Sequence, residues 1–146
     1  MDLFYDEIGH LLVYFIAVLV IYVLGRDYFS RKNVFVGLAT AFFIDVDHLF
    51  DYFLYYGLRF NVFDFFSGSY FRAANRVVVP FHSWEIAGLI GFIWMLAKDK
   101  KKYSWVLFLA VGYLVHLSFD VFSNGFHWYT YFLFLRISEG FPLDLF

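Results

Sequence analysis

The sequence predicts an all-α fold, a polytopic membrane four-helix bundle formed by a single transmembrane domain over residues 1–146, and three observations carry that reading. Of the 146 residues 62% are hydrophobic and 27% aromatic while only 16% are charged, a balance far outside that of soluble domains. Four apolar stretches, at about 8–24, 34–57, 81–97 and 104–123, approach the roughly 20 residues that a helix needs to cross the hydrocarbon core. The runs that separate the first pair and the last pair are short, polar and basic.

The first span follows an acidic start, Met1-Asp2-Leu3-Phe4-Tyr5-Asp6-Glu7, where a cleaved signal peptide would carry Lys or Arg, so this span is expected to stay in the mature protein. The loop before the second span holds Arg26, Arg31 and Lys32, and the loop before the fourth is Lys98-Asp99-Lys100-Lys101-Lys102. The positive-inside rule places both in the cytoplasm; with four spans, both termini then face outward from the plasma (inner) membrane. The outer loop, 58–80, contains Phe60-Asn61-Val62-Phe63-Asp64-Phe65-Phe66, too apolar for a free loop and too short to span. The tail, 126–146, carries Trp128-Tyr129-Thr130-Tyr131-Phe132, and both segments are expected to lie at the outer interface. Small residues four apart, Gly37 and Ala41 on the second span and Ser83, Ala87 and Gly91 on the third, mark helix–helix faces.

The absence of cysteine excludes disulfides and thiolate ligands, so any metal must sit on oxygen and nitrogen. The net charge of −2, with basic residues confined to loops, sets nucleic acid aside as a partner. Composition says nothing of the oligomeric state.

The second span contains Asp45-Val46-Asp47-His48-Leu49-Phe50-Asp51. Each Asp in mid-bilayer costs about 2.5 to 3.5 kcal/mol on insertion scales, so a metal ion, facing polar groups or a water-filled cavity must compensate them. At 100° per residue these side chains share an arc of roughly 160° on one helix. His116 and Asp120 on the fourth span are spaced i, i+4 and can hold one ion together. His82 opens the third span and His10 lies near the start of the first. Counted at about 1.5 Å per residue, Asp45 to Asp51 lie roughly 16 to 25 Å above the cytoplasmic end and His116 to Asp120 roughly 18 to 24 Å. His10 and His82 lie at the outer ends of their own spans. All four spans thus bring acid or imidazole to the outer half of the bilayer, which favours a metal site built from His10, Asp45, Asp47, His48, His82, His116 and Asp120. Asp51 and Glu85 could be ligands, proton acceptors or partners of an arginine. His127 reads as an aromatic-belt residue. Arg59, Arg72 and Arg76 in the outer loop carry forks suited to phosphate at headgroup level, although snorkelling to the surface also explains them.

Asp45-x-Asp47-His48 late in one span, His82-Ser83 opening another, and Gly112-Tyr113-Leu114-x-His116-x-x-x-Asp120-x-x-Ser123 with Asn124-Gly125 after it resemble the YdjM-like family of inner-membrane, metal-dependent hydrolases. The likeness runs in order along nearly the whole chain, with His10 matching an early family histidine. It implies a membrane-embedded hydrolase with a cluster of divalent metal ions. The His-x-x-x-Asp pair is also similar to one in zinc-dependent phospholipase C, which points to phosphoester substrates. One departure is that the family often has His-Arg-Gly shortly before its Thr-His-Ser, whereas Val77-Val78-Val79-Pro80-Phe81 precede His82 here.

The expectation is a hydrolase that binds one to three divalent ions, zinc first and manganese, iron or magnesium also suitable, with Asp51 or Glu85 accepting a proton. A membrane lipid phosphate, either a phospholipid or a polyprenyl phosphate, is the expected substrate. The competing readings are transport of a metal ion or proton and a structural protein with a metal staple.

Overall fold

A computed structural model describes residues 3–145, with side chains from Ile8 onward, so Met1, Asp2, Phe146 and the acidic side chains of the start lie outside the described residues. The chain is all-helical, and among the described residues no strand forms beyond one isolated bridge between Arg76 and Pro142. Helices α1 (Leu3–Leu24), α2 (Arg31–Phe43), α3 (His48–Tyr56), α4 (Val62–Ser67), α5 (Ser69–Ala74), α6 (Trp84–Leu96), α7 (Ser104–Asn124) and α8 (Leu133–Glu139) follow in order.

The central helix is α7, which packs on α1, α2 and α6. Small residues explain its closest contact. A Cβ on Gly112 would strike the Gly37 carbonyl, and one on Gly37 would strike the Tyr14 hydroxyl and the Phe108 carbonyl, so glycine at both positions lets α2 and α7 touch backbone to backbone. Tyr14, fully buried, donates to Val34 O at 2.7 Å and ties α1 into that crossing. Nearby, Asn33 Nδ2 donates to Ser104 Oγ at 2.7 Å, joining the first turns of α2 and α7.

Two helices, the continuous stretch Arg31–Tyr56 and Ser104–Asn124, are long and apolar enough to cross a membrane. Ile8–Leu24 and Trp84–Leu96 are apolar but shorter. The third predicted span is therefore corrected: residues 81–83 are not helical, Ser83 caps the helix by accepting from Ile86 N–H, and the 13 residues of α6 rise only about 20 Å. The chain instead turns through Val79, Pro80 and Phe81, with His82 N–H donating to Val79 O at 3.1 Å, and hydropathy does not distinguish such a segment from helix. The second span is also not one uniform α-helix, because Ile44–Asp47 forms a 3₁₀ turn between α2 and α3. Apolar side chains cover the outside of the bundle, among them Leu12, Ile16, Leu19 and Val23 on α1 and Leu89, Phe92 and Leu96 on α6, far more than a water-facing surface of this size carries.

The outer loop and the tail fold into short segments rather than free chain. α4 is capped by Asn61, whose side chain accepts from Phe63 and Asp64 N–H, and Gly68, in the left-handed region at φ 64°, turns the chain into α5. The tail forms a 3₁₀ turn, Trp128–Tyr131, and then α8.

Candidate metal centre

The 3₁₀ turn at Ile44–Asp47 lies where the carboxylates are concentrated, and its tighter winding turns Asp45 and Asp47 toward the bundle axis. From α7, the i, i+4 pair His116 and Asp120 reaches the same place, while α1 contributes His10 and the segment before α6 contributes His82. His10, His116 and Asp47 are completely buried, and Asp51, His82 and Asp120 nearly so.

At the centre, His82 Nε2 lies 3.0 Å from His116 Nε2 and 3.1 Å from Asp45 Oδ1. His116 Nε2 is 3.5 Å from Asp45 Oδ1 and 3.4 Å from Asp120 Oδ2, and His82 Nε2 is 3.5 Å from Asp120 Oδ2. Each of these four side chains is held from behind. His116 Nδ1 donates to Ala41 O at 2.8 Å, and His82 Nδ1 to Asp47 Oδ2 at 3.1 Å. His48 Nε2 sits 2.9 Å from Asp45 Oδ1, and His10 Nε2 2.9 Å from Asp120 Oδ1, with the His10 ring stacked on His116 at 3.9 Å.

These contacts set the tautomers. A carbonyl and a carboxylate only accept, so the Nδ1 atoms of His116 and His82 carry the hydrogens and, in neutral rings, both Nε2 atoms present lone pairs. Two lone pairs facing each other at 3.0 Å, with carboxylates on either side, repel unless a cation or a proton lies between them. The donor set is nitrogen and oxygen, the imidazoles are oriented by a carboxylate and a backbone carbonyl as metal-bound histidines are, and the buried negative charge calls for a cation. The buried groups His10/His116/Asp120, Asp45/His82/His116 and Asp47/His48/His82 can each hold a metal ion, and they overlap through His82 and His116.

The two expected proton acceptors have other tasks. Asp51 receives the backbone N–H of Val78 at 2.7 Å and of Val79 at 2.9 Å, one on each oxygen. Glu85 receives Leu133 and Phe134 N–H at 3.0 and 3.1 Å and so caps α8, away from the cluster. In each case both oxygens are engaged in holding main chain, and each oxygen keeps a further lone pair.

A cavity of about 340 Å³ opens against the cluster, lined by His48, His82 and Asp120 at one end. Arg72, Ser67, Ser69 and Asn124 supply further polar wall, and Phe71, Phe126, Tyr131 and Leu143 apolar wall. Of the three arginines, only Arg72 lines it. Arg76 instead lies over the Phe141 ring at 5.5 Å, and Arg59 is exposed in the turn after α3. His127 is exposed and stacks on Tyr129, as a belt residue would. Tyr70 is fully buried beneath the acids, and burial first and the Asp51 charge second push its hydroxyl well above the usual range, so it stays protonated.

Sequence reasoning missed Arg136. Its side chain is fully buried and donates to Val78 O at 2.8 Å, Val79 O at 2.9 Å and His82 O. The available signal was a lone cation in the apolar run Leu133-Phe134-Leu135-Arg136-Ile137.

Fold and site together define an all-α protein with two helices apolar enough to span a membrane and a buried His/Asp cluster able to hold a metal ion. No family model, curated protein or solved structure matches the chain.

Proposed function

We propose that this chain is a multi-pass membrane hydrolase, bundled around α7, whose His/Asp centre acts on the phosphoester of a small-headgroup lipid at the outer leaflet. The observation that carries the reading is the convergence of Asp45 Oδ1, His82 Nε2 and His116 Nε2, 3.0 to 3.5 Å apart, beside a cavity that Asp120 lines. Ligands at about 2.0 to 2.1 Å from a tetrahedral zinc stand roughly 3.3 to 3.4 Å from one another, so this triad has the spacing of three zinc ligands and would leave a fourth position, beside Asp120 and the cavity it lines, for water or substrate. Zinc is the favoured ion, and the two flanking triads give room for a second. A divalent cation held there would polarise a phosphoryl oxygen and lower the pKa of water.

The remaining tasks fall to the chain itself. His48 and His10 hold the Asp45 and Asp120 carboxylates in place. Arg72, on the cavity wall, offers its fork to phosphate. The apolar wall excludes water from the reacting bond. At about 340 Å³ the cavity sits at the lower end of ligand sites, which suits a phosphate with a small headgroup and leaves lipid chains outside. The resemblance to the YdjM-like hydrolases agrees with this reading and contributes the expectation of an inner-membrane location with both termini outside.

Purified protein should contain zinc in stoichiometric amount and release phosphate or a phosphorylated headgroup from lipids in mixed micelles. The double variant H116A/D120A should lose both properties. Metal-free wild-type protein, or hydrolysis that survives in the double variant, would sink the proposal. Zinc uptake into proteoliposomes without hydrolysis would replace it with transport, and tight zinc without turnover or uptake would replace it with a metal staple.

A further inference from the structure

We infer that residues 77–82 form a main-chain arm that sets the position of the His82 imidazole, with Arg136 of α8 as its anchor and thereby a positioning residue of the metal centre. This rests on the reading of His82 as a ligand. Arg136 holds one edge of the arm, its fork donating to the carbonyls of Val78, Val79 and His82 itself. Asp51 holds the opposite edge by accepting Val78 and Val79 N–H. Further along, Phe81 N–H donates to Asp47 Oδ2 at 2.7 Å, Phe81 O accepts from the Tyr113 hydroxyl at 2.5 Å, and Val77 N–H donates to Phe141 O at 3.0 Å. Almost every polar group of an irregular segment is thus met by protein, the condition for non-helical backbone at membrane depth.

Two features separate positioning from simple filling. Val79 has φ 25°, a conformation that a β-branched residue adopts only when its surroundings impose it, and its N–H and its carbonyl are the groups gripped by Asp51 and Arg136. Asp47 reads both the arm, through Phe81 N–H, and the ring, through His82 Nδ1, so a displaced arm moves His82 Nε2 away from His116 and Asp45. A ligand set tolerates displacement of only about 0.5 Å. A rigid, planar fork that spans three carbonyls meets that demand; the flexible, point-like lysine ammonium does not. The tail helix and the metal centre are therefore coupled through the main chain of residues 77–82, gripped by Arg136 on one side and Asp47 on the other.

The test compares zinc affinity, by competition with a chromophoric chelator, in the full-length wild type, Arg136→Lys and Tyr113→Phe, alongside the melting temperature of each metal-free protein. Arg136→Lys should bind zinc 10- to 100-fold more weakly, the range seen when outer supports of metal ligands are removed, and Tyr113→Phe several-fold more weakly. Wild-type affinity in Arg136→Lys, with only the metal-free melting temperature lowered, would overturn the inference and leave the metal reading standing. No zinc binding by the wild type would overturn both. Should Arg136→Lys fail to fold, Tyr113→Phe decides, and unchanged affinity there counts against the arm.

Discussion

Where α2 crosses α7 at Gly37 and Gly112, two backbones press together with no side chain between them, whereas about two turns further along α7, at Asp120, the elements hold apart and the gap is filled by carboxylates and imidazoles. At the first place the helices are regular and polar groups are few, each satisfied by one partner, as Tyr14 by Val34 O. At the second place α2 gives way to a 3₁₀ turn, α6 starts late, and side chains from the loop and the tail complete the wall. The glycine crossing gains dispersion contacts and carries no chemistry; the His/Asp end accepts unfavourable buried charge and carries the donors. The close-packed crossing and the buried His/Asp cluster thus lie about two turns apart along α7.

The largest expected effect breaks the packing end. Gly112→Leu drives a side chain into the Gly37 carbonyl and should cost about 3 kcal/mol or more, read as loss of a monodisperse detergent-solubilised peak that added zinc does not restore. Next, stripping the ion from the other end with a chelator should lower wild-type stability by about 2.7 kcal/mol relative to protein with free zinc at a hundredfold excess over Kd, while H116A/D120A shows no zinc-dependent change in melting temperature. Asp120→Asn sharpens the contrast: zinc affinity should fall at least about tenfold, yet the metal-free protein should be no less stable, because one buried carboxylate charge has been removed. Arg72→Ala should reduce lipid-phosphate kcat/KM by about tenfold with zinc affinity unchanged, a loss of about 1.4 kcal/mol in transition-state binding. The smallest effect belongs to Tyr14→Phe, which should cost about 1 kcal/mol of stability and leave both zinc affinity and turnover alone. Equal responses of stability and metal affinity across this series would erase the distinction between the two ends.

The meeting of the His and Asp side chains was legible in the sequence because an acid or imidazole inside an apolar run is expensive, and because i, i+4 spacing and depth along each span indicate which groups come together. The Gly37 face was legible for a similar reason: residue size alone reports close approach. The grip of Asp51 and Glu85 on backbone N–H was not, since main-chain donors leave no mark in side-chain spacing. The late start of α6 was obscured by Val77, Val78, Val79 and Phe81, which raise hydropathy whether the chain is extended or helical, and only Pro80 hinted otherwise. Arg136 acts through three carbonyls that leave no pattern in side-chain spacing at all.

His10 and Asp120 lie 110 residues apart and meet at 2.9 Å, which bears on how the chain is made. At a synthesis rate of about 5 to 20 residues per second, roughly 6 to 20 seconds separate the emergence of these two side chains from the ribosome. For the later part of that interval Asp45, Asp47 and Asp51 have already left the ribosome while His116 and Asp120 have not. The nascent chain must keep three acids hydrated or protonated until its last long helix arrives, so the His/Asp cluster closes late.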